Sequence, residues 1–150
     1  MIAIGIDPGN SGALGIIYAD ENNHPLRIKV IPFDEAAYRD ALAACVDSRV
    51  VCCLEKVGAM PGQGVVSMFN FGRNFGFIQG LLQANKIPYQ LVPPQTWKKE
   101  YSLSSDKQAS IDVCKRLFPD INLLATPRSR KENDGMAEAL LMAEYARRKL

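Results

Sequence analysis

Residues 2–17 read IAIGIDPGNSGALGII, and this stretch decides the fold. A run of small and β-branched apolar residues ends in one acid, Asp7, and breaks at Pro8-Gly9. Proline cannot donate to a strand ladder, and Gly9 and Gly12 supply the backbone freedom for a tight reversal. The second apolar run, Ala13 to Tyr18, returns as the partner strand of a hairpin. A carboxylate at the end of an apolar strand costs several kcal/mol of desolvation unless a cation meets it. Asp7 therefore requires a metal ion or a Lys/Arg partner.

Working outward, Asp20 to Asn23 is a polar turn and Leu26 to Phe33 a third strand. Three strands joined by short turns form an antiparallel meander. Asp34 is suited to cap a helix through about Val46, with Ala36, Ala37, Ala41, Leu42 and Ala44 as its apolar content. Val50 to Glu55 is continuously apolar until its last residue, the pattern of a buried parallel strand after a crossover helix. Parallel central strands present their C-terminal ends on one sheet edge, where sites in such folds form. Asp7 and Glu55 are expected there as neighbours.

Val57 to Val66 is rich in Gly and Pro and reads as a loop beside that edge. A helix is expected over roughly Ser67 to Asn85, with Met68, Phe71, Phe75, Ile78 and Leu82 as a buried stripe. Gly72, Gly76 and Gly80 form a second stripe. Each mid-helix glycine costs about 1 kcal/mol against alanine, so the stripe implies close approach of another backbone, either the chain's own sheet or a second subunit. Phe69 projects near the glycine face, with Arg73 and Phe77 beyond it. Pro88 to Val92 is the fifth strand, and Gln95 to Glu100 a helical turn carrying Trp97. Ser105 with Gln108 resembles a capping box for a helix to about Phe118, its inner stripe Ile111, Cys114 and Phe118. Lys107 falls on that stripe and can point its ammonium inward. Asp120 to Asn133 is a loop, basic in its second half, and a last helix runs from about Asp134 to the C-terminus. Asp134, Glu138, Leu141 and Tyr145 share one face of it.

The 150 residues, 47% apolar and 23% charged, suit a single domain with its own core. No apolar run approaches the roughly 20 residues of a membrane span, and the first residues run into a strand without a cleavable signal. An intracellular protein, in the cytoplasm or at the nucleoid and of cellular or viral origin, is expected. Cys45, Cys52, Cys53 and Cys114 form no C-x-x-C pair, and the only histidine, His24, lies in a polar turn, which argues for reduced core thiols against zinc. The net charge is only +2, yet Lys98, Lys99, Lys107, Lys115, Arg116, Arg128, Arg130 and Lys131 cluster in one part of the chain. A phosphate backbone suits such a face.

Four carboxylates thus point to one place: Asp7 and Glu55 from strand ends, Asp134 and Glu138 from a helix start. Taken singly, each has a plainer reading, Asp134 as a charge complementing the helix dipole and Glu138 as a surface residue. Together, without Cys or His, they suit hard cations such as Mg²⁺ or Mn²⁺. Two such ions about 3.5–4 Å apart support in-line hydrolysis of a phosphodiester. Lys107 is placed to stabilise the charge that develops.

These segments, IGIDPGNSGALG, the strand-end LEKV, MFNFGRNFGFIQGLL and the terminal NDGMAEALLMA, resemble RuvC-like Holliday-junction resolvases of the RNase H-like superfamily over nearly the whole length. The resemblance implies an α/β fold with a five-stranded mixed sheet flanked by helices. It further implies a homodimer that places two metal-dependent sites on a four-way DNA junction. Asp7 and Glu55 match that family's strand acids, Asp134 and Glu138 its C-terminal helix acids. Lys107, and secondarily Lys98, match basic residues near the scissile phosphate. Phe69 falls where related enzymes carry an aromatic wedge for the junction centre, a position equally suited to a dimer interface. The family spaces its two helix acids three residues apart and this chain four, which leaves open whether Asp134, Glu138 or Asn133 bridges the ions.

The expected activity is symmetric nicking of branched DNA, with Phe69, Arg73, Lys98, Lys99, Lys107, Arg128, Arg130 and Lys131 as candidate DNA contacts. Specificity would rest on junction shape and backbone contacts. A nuclease of the same fold acting on RNA or an RNA–DNA hybrid shares the metals and the motif. The D-P-G-x-x-G turn also resembles the phosphate loop of actin-like ATPases and sugar kinases, but those need two such domains. A non-catalytic junction-binding scaffold would leave four acids unused.

Overall fold

In the computed structural model, which describes residues 1–150, the elements follow as β1 (Ile2–Asp7), β2 (Ala13–Ala19), β3 (Pro25–Pro32), α1 (Glu35–Ala43), β4 (Val50–Glu55), α2 (Val65–Ala84), β5 (Gln90–Val92), α3 (Pro94–Glu100), α4 (Lys107–Leu117) and α5 (Asp134–Lys149). They build one mixed sheet in the order β3-β2-β1-β4-β5. The first three strands are antiparallel, β4 lies parallel to β1, and β5 parallel to β4. This is the five-stranded α/β sheet expected from the sequence.

The pleat sorts side chains between two layers, because successive residues of a strand face opposite ways. Along β1, Ile2, Ile4 and Ile6 enter one core with Tyr38 and Leu42 of α1 and Ile78 and Leu82 of α2. Ala3 enters the other core, against α5, Trp97 of α3, and Ile111 and Cys114 of α4. On β4, Cys52 and Leu54 take the first side and Cys53 the second. Asp7 and Glu55 end the Ala3 and Cys53 series, so alternation alone directs both acids to the face beneath α5.

That face admits α5 unusually closely. A Cβ at Gly5 would lie 2.2 Å from the Ala143 nitrogen, and one at Gly15 would lie 2.7 Å from the Ala139 carbonyl oxygen. The small residues of β1 and β2 are therefore the seat of the helix, and ten residues of α5 are buried. Near its other end Glu144 is buried and receives Arg147 and Arg148, each at 2.6 Å. Arg147 also donates to the Asn23 carbonyl, and the Asn23 amide returns a bond to the Arg147 carbonyl at 3.1 Å.

Several local expectations are revised. The helix capped by Asp34, which accepts from the Ala37 amide at 2.8 Å, stops at Ala43. α4 is capped by Asp106, not Ser105, because Asp106 Oδ1 accepts from the Gln108 amide at 3.0 Å. On α2 only Asn74, Ile78 and Leu82 are buried, while Met68 and Phe71 are partly exposed, so the core holds the helix by its C-terminal half. Nothing lies within 4 Å of a Cβ built on Gly72, Gly76 or Gly80, so the chain's own sheet is not what approaches that stripe. Phe77 turns inward and meets Phe33 edge-on at 6.5 Å. All four cysteines are free and buried. No helix is long and apolar enough to cross a membrane.

Candidate active site

β1 and β4 run side by side to the Ile6–Leu54 pair, and Asp7 and Glu55 follow one step on. The turn after Asp7 is held by its own backbone. The Gly9 amide donates to Asp7 Oδ1 at 3.1 Å, and the Gly12 amide donates to the Gly9 carbonyl at 2.9 Å. Asn133 caps α5, its Oδ1 accepting from the Met136 amide at 3.0 Å, which commits the oxygen considered as a possible ligand. Gly135 brings the helix start onto the turn, since a Cβ there would lie 2.2 Å from the Ser11 carbonyl oxygen. Asp134 thereby reaches the Asp7 end of the sheet, and Glu138 follows one helical turn later on the same face.

The four acids sense one another. Burial raises the Asp7 carboxyl above its ordinary value, and the Asp134 charge adds to this against the Gly9 amide and Lys98. Glu55 is pushed up to about 7, by burial first and by the charges of Asp7 and Glu138, with the Trp97 bond and Lys98 opposing. Burial again raises Glu138, with Asp7 and Asp134 repelling it and Lys98 holding it down. Asp7, Glu55 and Glu138, made harder to ionise by burial first and by neighbouring carboxylates second, are short of positive charge.

Lys98 supplies one such charge. Its Nζ stands 3.5 Å from Glu138 Oε1, and the ammonium also stabilises Asp7 and Glu55. Lys107, expected to point inward, is instead 82% exposed at the mouth of the site, 4.0 Å from Asp134 Oδ2. As the first residue of α4 after its cap, it faces solvent rather than the inner stripe. Lys98, whose depth the sequence did not indicate, is the lysine that reaches the acids. Two further groups went unforeseen. Trp97, fully buried, donates from Nε1 to Glu55 Oε2 at 2.8 Å, and the buried Ser110 hydroxyl lies 3.5 Å from Glu138 Oε1. A tryptophan one residue before a site lysine is a signal the sequence carried. Ser110 carried none.

The remaining candidates stand apart from the acids. Phe69 is 72% exposed on α2. Arg73, also exposed, pairs with Glu35 of α1 at 3.5 Å. Lys99 is exposed on α3, and Arg128, Arg130 and Lys131 are exposed on the loop before α5. No three acidic side chains meet at a single coordination point. By their chemistry, all-oxygen and anionic, Asp7, Glu55, Asp134 and Glu138 fit a hard divalent ion.

No protein-family model matches the chain, and no curated protein matches it in sequence. Solved structures do. The chain is similar to Thermus thermophilus RuvC, with a TM-score of 0.61 and 16% identity over 99% of this chain and 96% of that one. It is also similar to T. thermophilus RuvC in complex with a Holliday junction substrate, with a TM-score of 0.56 and 18% identity over the same shares. The chain has the RuvC-like fold.

Proposed function

We propose that this protein is a divalent-metal-dependent endonuclease that resolves four-way DNA junctions by paired, symmetric cuts, as a homodimer of single-domain chains. The observation that carries the reading is the convergence of Asp7, Glu55 and Glu138 on Lys98, with Asp134 close to Asp7, at the C-terminal edge of β1 and β4. The likeness to a RuvC bound to junction DNA supports the choice of substrate. Asp7, Glu55, Asp134 and Glu138 would hold two ions, Mg²⁺ or Mn²⁺, and these when bound supply the charge that activates a water and stabilises a departing oxygen.

The chain's own groups divide the remaining work. Trp97 fixes the orientation of Glu55 through its indole N–H, and Ser110 lies beside Glu138. Lys98 neutralises the acids while they lack another cation. It is then free to meet a phosphate oxygen as a point charge, with Lys107 at the mouth. Lys99, Arg128, Arg130 and Lys131 extend the basic surface for the DNA backbone. The exposed Phe69 and Arg73 on α2, with Val65 and Val66 before them, form the face offered to the junction centre or to the second subunit. The open glycine stripe beside that face leaves room for a second backbone, as a homodimer needs.

The test is cleavage of a labelled four-way junction beside matched duplex and RNA–DNA hybrid, with Mg²⁺, with EDTA, and with Asp7→Asn. Paired nicks on the junction alone, lost with EDTA and with Asp7→Asn, are expected. Hybrid cleavage would move the enzyme to RNA processing, and tight binding without cleavage would make it a scaffold.

A further inference from the structure

Helix α2 is held to the domain unevenly. Ile78 and Leu82 anchor its C-terminal half in the core, whereas Val65, Val66 and Phe69 are exposed. At the junction of the two halves lies the only polar side chain that α2 buries, Asn74. Its Nδ2 donates to Asn10 Oδ1 at 2.5 Å, across 64 residues of sequence. A buried amide is costly unless its bonds are made, and an apolar residue could have joined Ile78 and Leu82 at no such cost. What the amide does there is fasten the helix to a particular partner.

That partner lies in the turn that shapes the site. Asn10 follows Gly9, whose amide donates to Asp7 Oδ1, and precedes Ser11, whose carbonyl oxygen abuts Gly135 at the start of α5. The turn thus touches Asp7 on one side and the helix bearing Asp134 on the other. On α2, Arg73 adjoins Asn74 and Phe69 lies just over one turn earlier. Arg73 is held only by the exposed Glu35, an exchangeable contact of little strength. A force on the free half of α2 has one buried polar route into the domain, and that route ends at the residues that orient Asp7.

We propose that the Asn74–Asn10 bond is a positioning link, through which engagement of the exposed half of α2 sets the geometry of the Asp7 carboxylate. The proposal rests on the nuclease reading above for what engages the helix, namely junction DNA. Neither asparagine touches the reacting atoms; both act through the Gly9–Asp7 contact.

The experiment is a double-mutant cycle of Asn10→Ala and Asn74→Leu, read three ways. Turnover at saturating junction is expected to fall about tenfold in either variant and no further in the double variant, as for a single lost bond acting on the transition state. The junction Kd without divalent ion is expected to stay within about twofold, since phosphate contacts supply most of the binding. Amide resonances of Gly9 and Gly12 in the ion-free protein are expected to move in each single variant. Additive losses, a loss confined to Kd, or unmoved glycine amides would overturn the link. Asn74→Ala, a smaller change at the same distant position, keeps the test decisive if Asn74→Leu fails to fold. If the wild-type chain cuts no junction, the nuclease reading falls. The glycine amides then decide the link by themselves, movement sustaining it and constancy refuting it.

Discussion

The indole of Trp97 donates to Glu55 Oε2 at 2.8 Å, so the largest fully buried side chain of the domain terminates on one of its candidate metal ligands. This bond opposes the burial that pushes Glu55 up to about 7. Trp97→Phe removes the donor and leaves a carboxylate oxygen without its partner, at a cost of about 1–3 kcal/mol. The acid limb of the cleavage rate is expected to move to higher pH in this variant. A pH–rate profile at saturating Mg²⁺, compared with wild type, checks it.

Without divalent ions, stability should fall as pH rises. The folded-state carboxyls of Asp7, Glu55 and Glu138 all lie above their ordinary values, so the native state binds protons that the unfolded chain has released. Under linkage, stability then decreases from the ordinary carboxylate range up to about 7, the value for Glu55. Glu55 alone can account for up to about 3 kcal/mol of this loss. Thermal melts in EDTA between mildly acid and neutral pH measure it, and saturating Mg²⁺ is expected to cancel the trend, because binding to the native state alone is stabilising.

Asp7→Asn is expected to separate stability from activity. It relieves a buried charge repelled by Asp134, so the ion-free protein should melt a few degrees higher. Junction cleavage should nonetheless fall by about a thousandfold or more, the scale on which a single charge-stabilising group matters. Differential scanning calorimetry beside a cleavage assay tests the pair of outcomes, and a lower melting temperature would contradict the repulsion described.

Lys98→Met deprives Asp7, Glu55 and Glu138 of the ammonium they share. The ion-free variant should melt several degrees lower at neutral pH, and the rise in melting temperature on adding Mg²⁺ should exceed that of wild type. Lys107→Met should leave both quantities nearly unchanged, because that side chain is solvated. Melting curves with and without Mg²⁺ distinguish the two lysines.

Glycines in the sheet and on α2 should respond oppositely to alanine. Gly5→Ala drives a methyl into the backbone of α5, and a loss of about 3 kcal/mol or more is expected. Gly76→Ala meets open space in the single chain and should stabilise it by up to about 1 kcal/mol at high dilution. Self-association, followed by sedimentation, should weaken in the same variant.

The strands and their acids were legible because period-two alternation and strand-end carboxylates are local properties of the chain. β4 was expected over Val50 to Glu55, and the structure has those bounds. The depth of Lys98 and Lys107 was not legible. It depends on whether a side chain lies one residue inside a cap or on the inner face of a short helix, and the cap at Asp106 was misplaced by one residue. The glycines show a related limit. Gly72, Gly76 and Gly80 drew attention by their spacing, whereas Gly5 and Gly15, hidden among small strand residues, are the ones that meet a backbone. Spacing reveals which residues share a face, but not what the face meets.

The seating of α5 against Gly5 and Gly15 has a consequence for how activity would be lost. The helix that carries Asp134 and Glu138 also contributes more buried residues to the core than any other element, so it has no low-energy opening of its own. Hydrogen exchange at its amides should report the global free energy of unfolding rather than a local one. Inactivation by heat would then coincide with collapse of the whole domain, with no folded but inactive species in between.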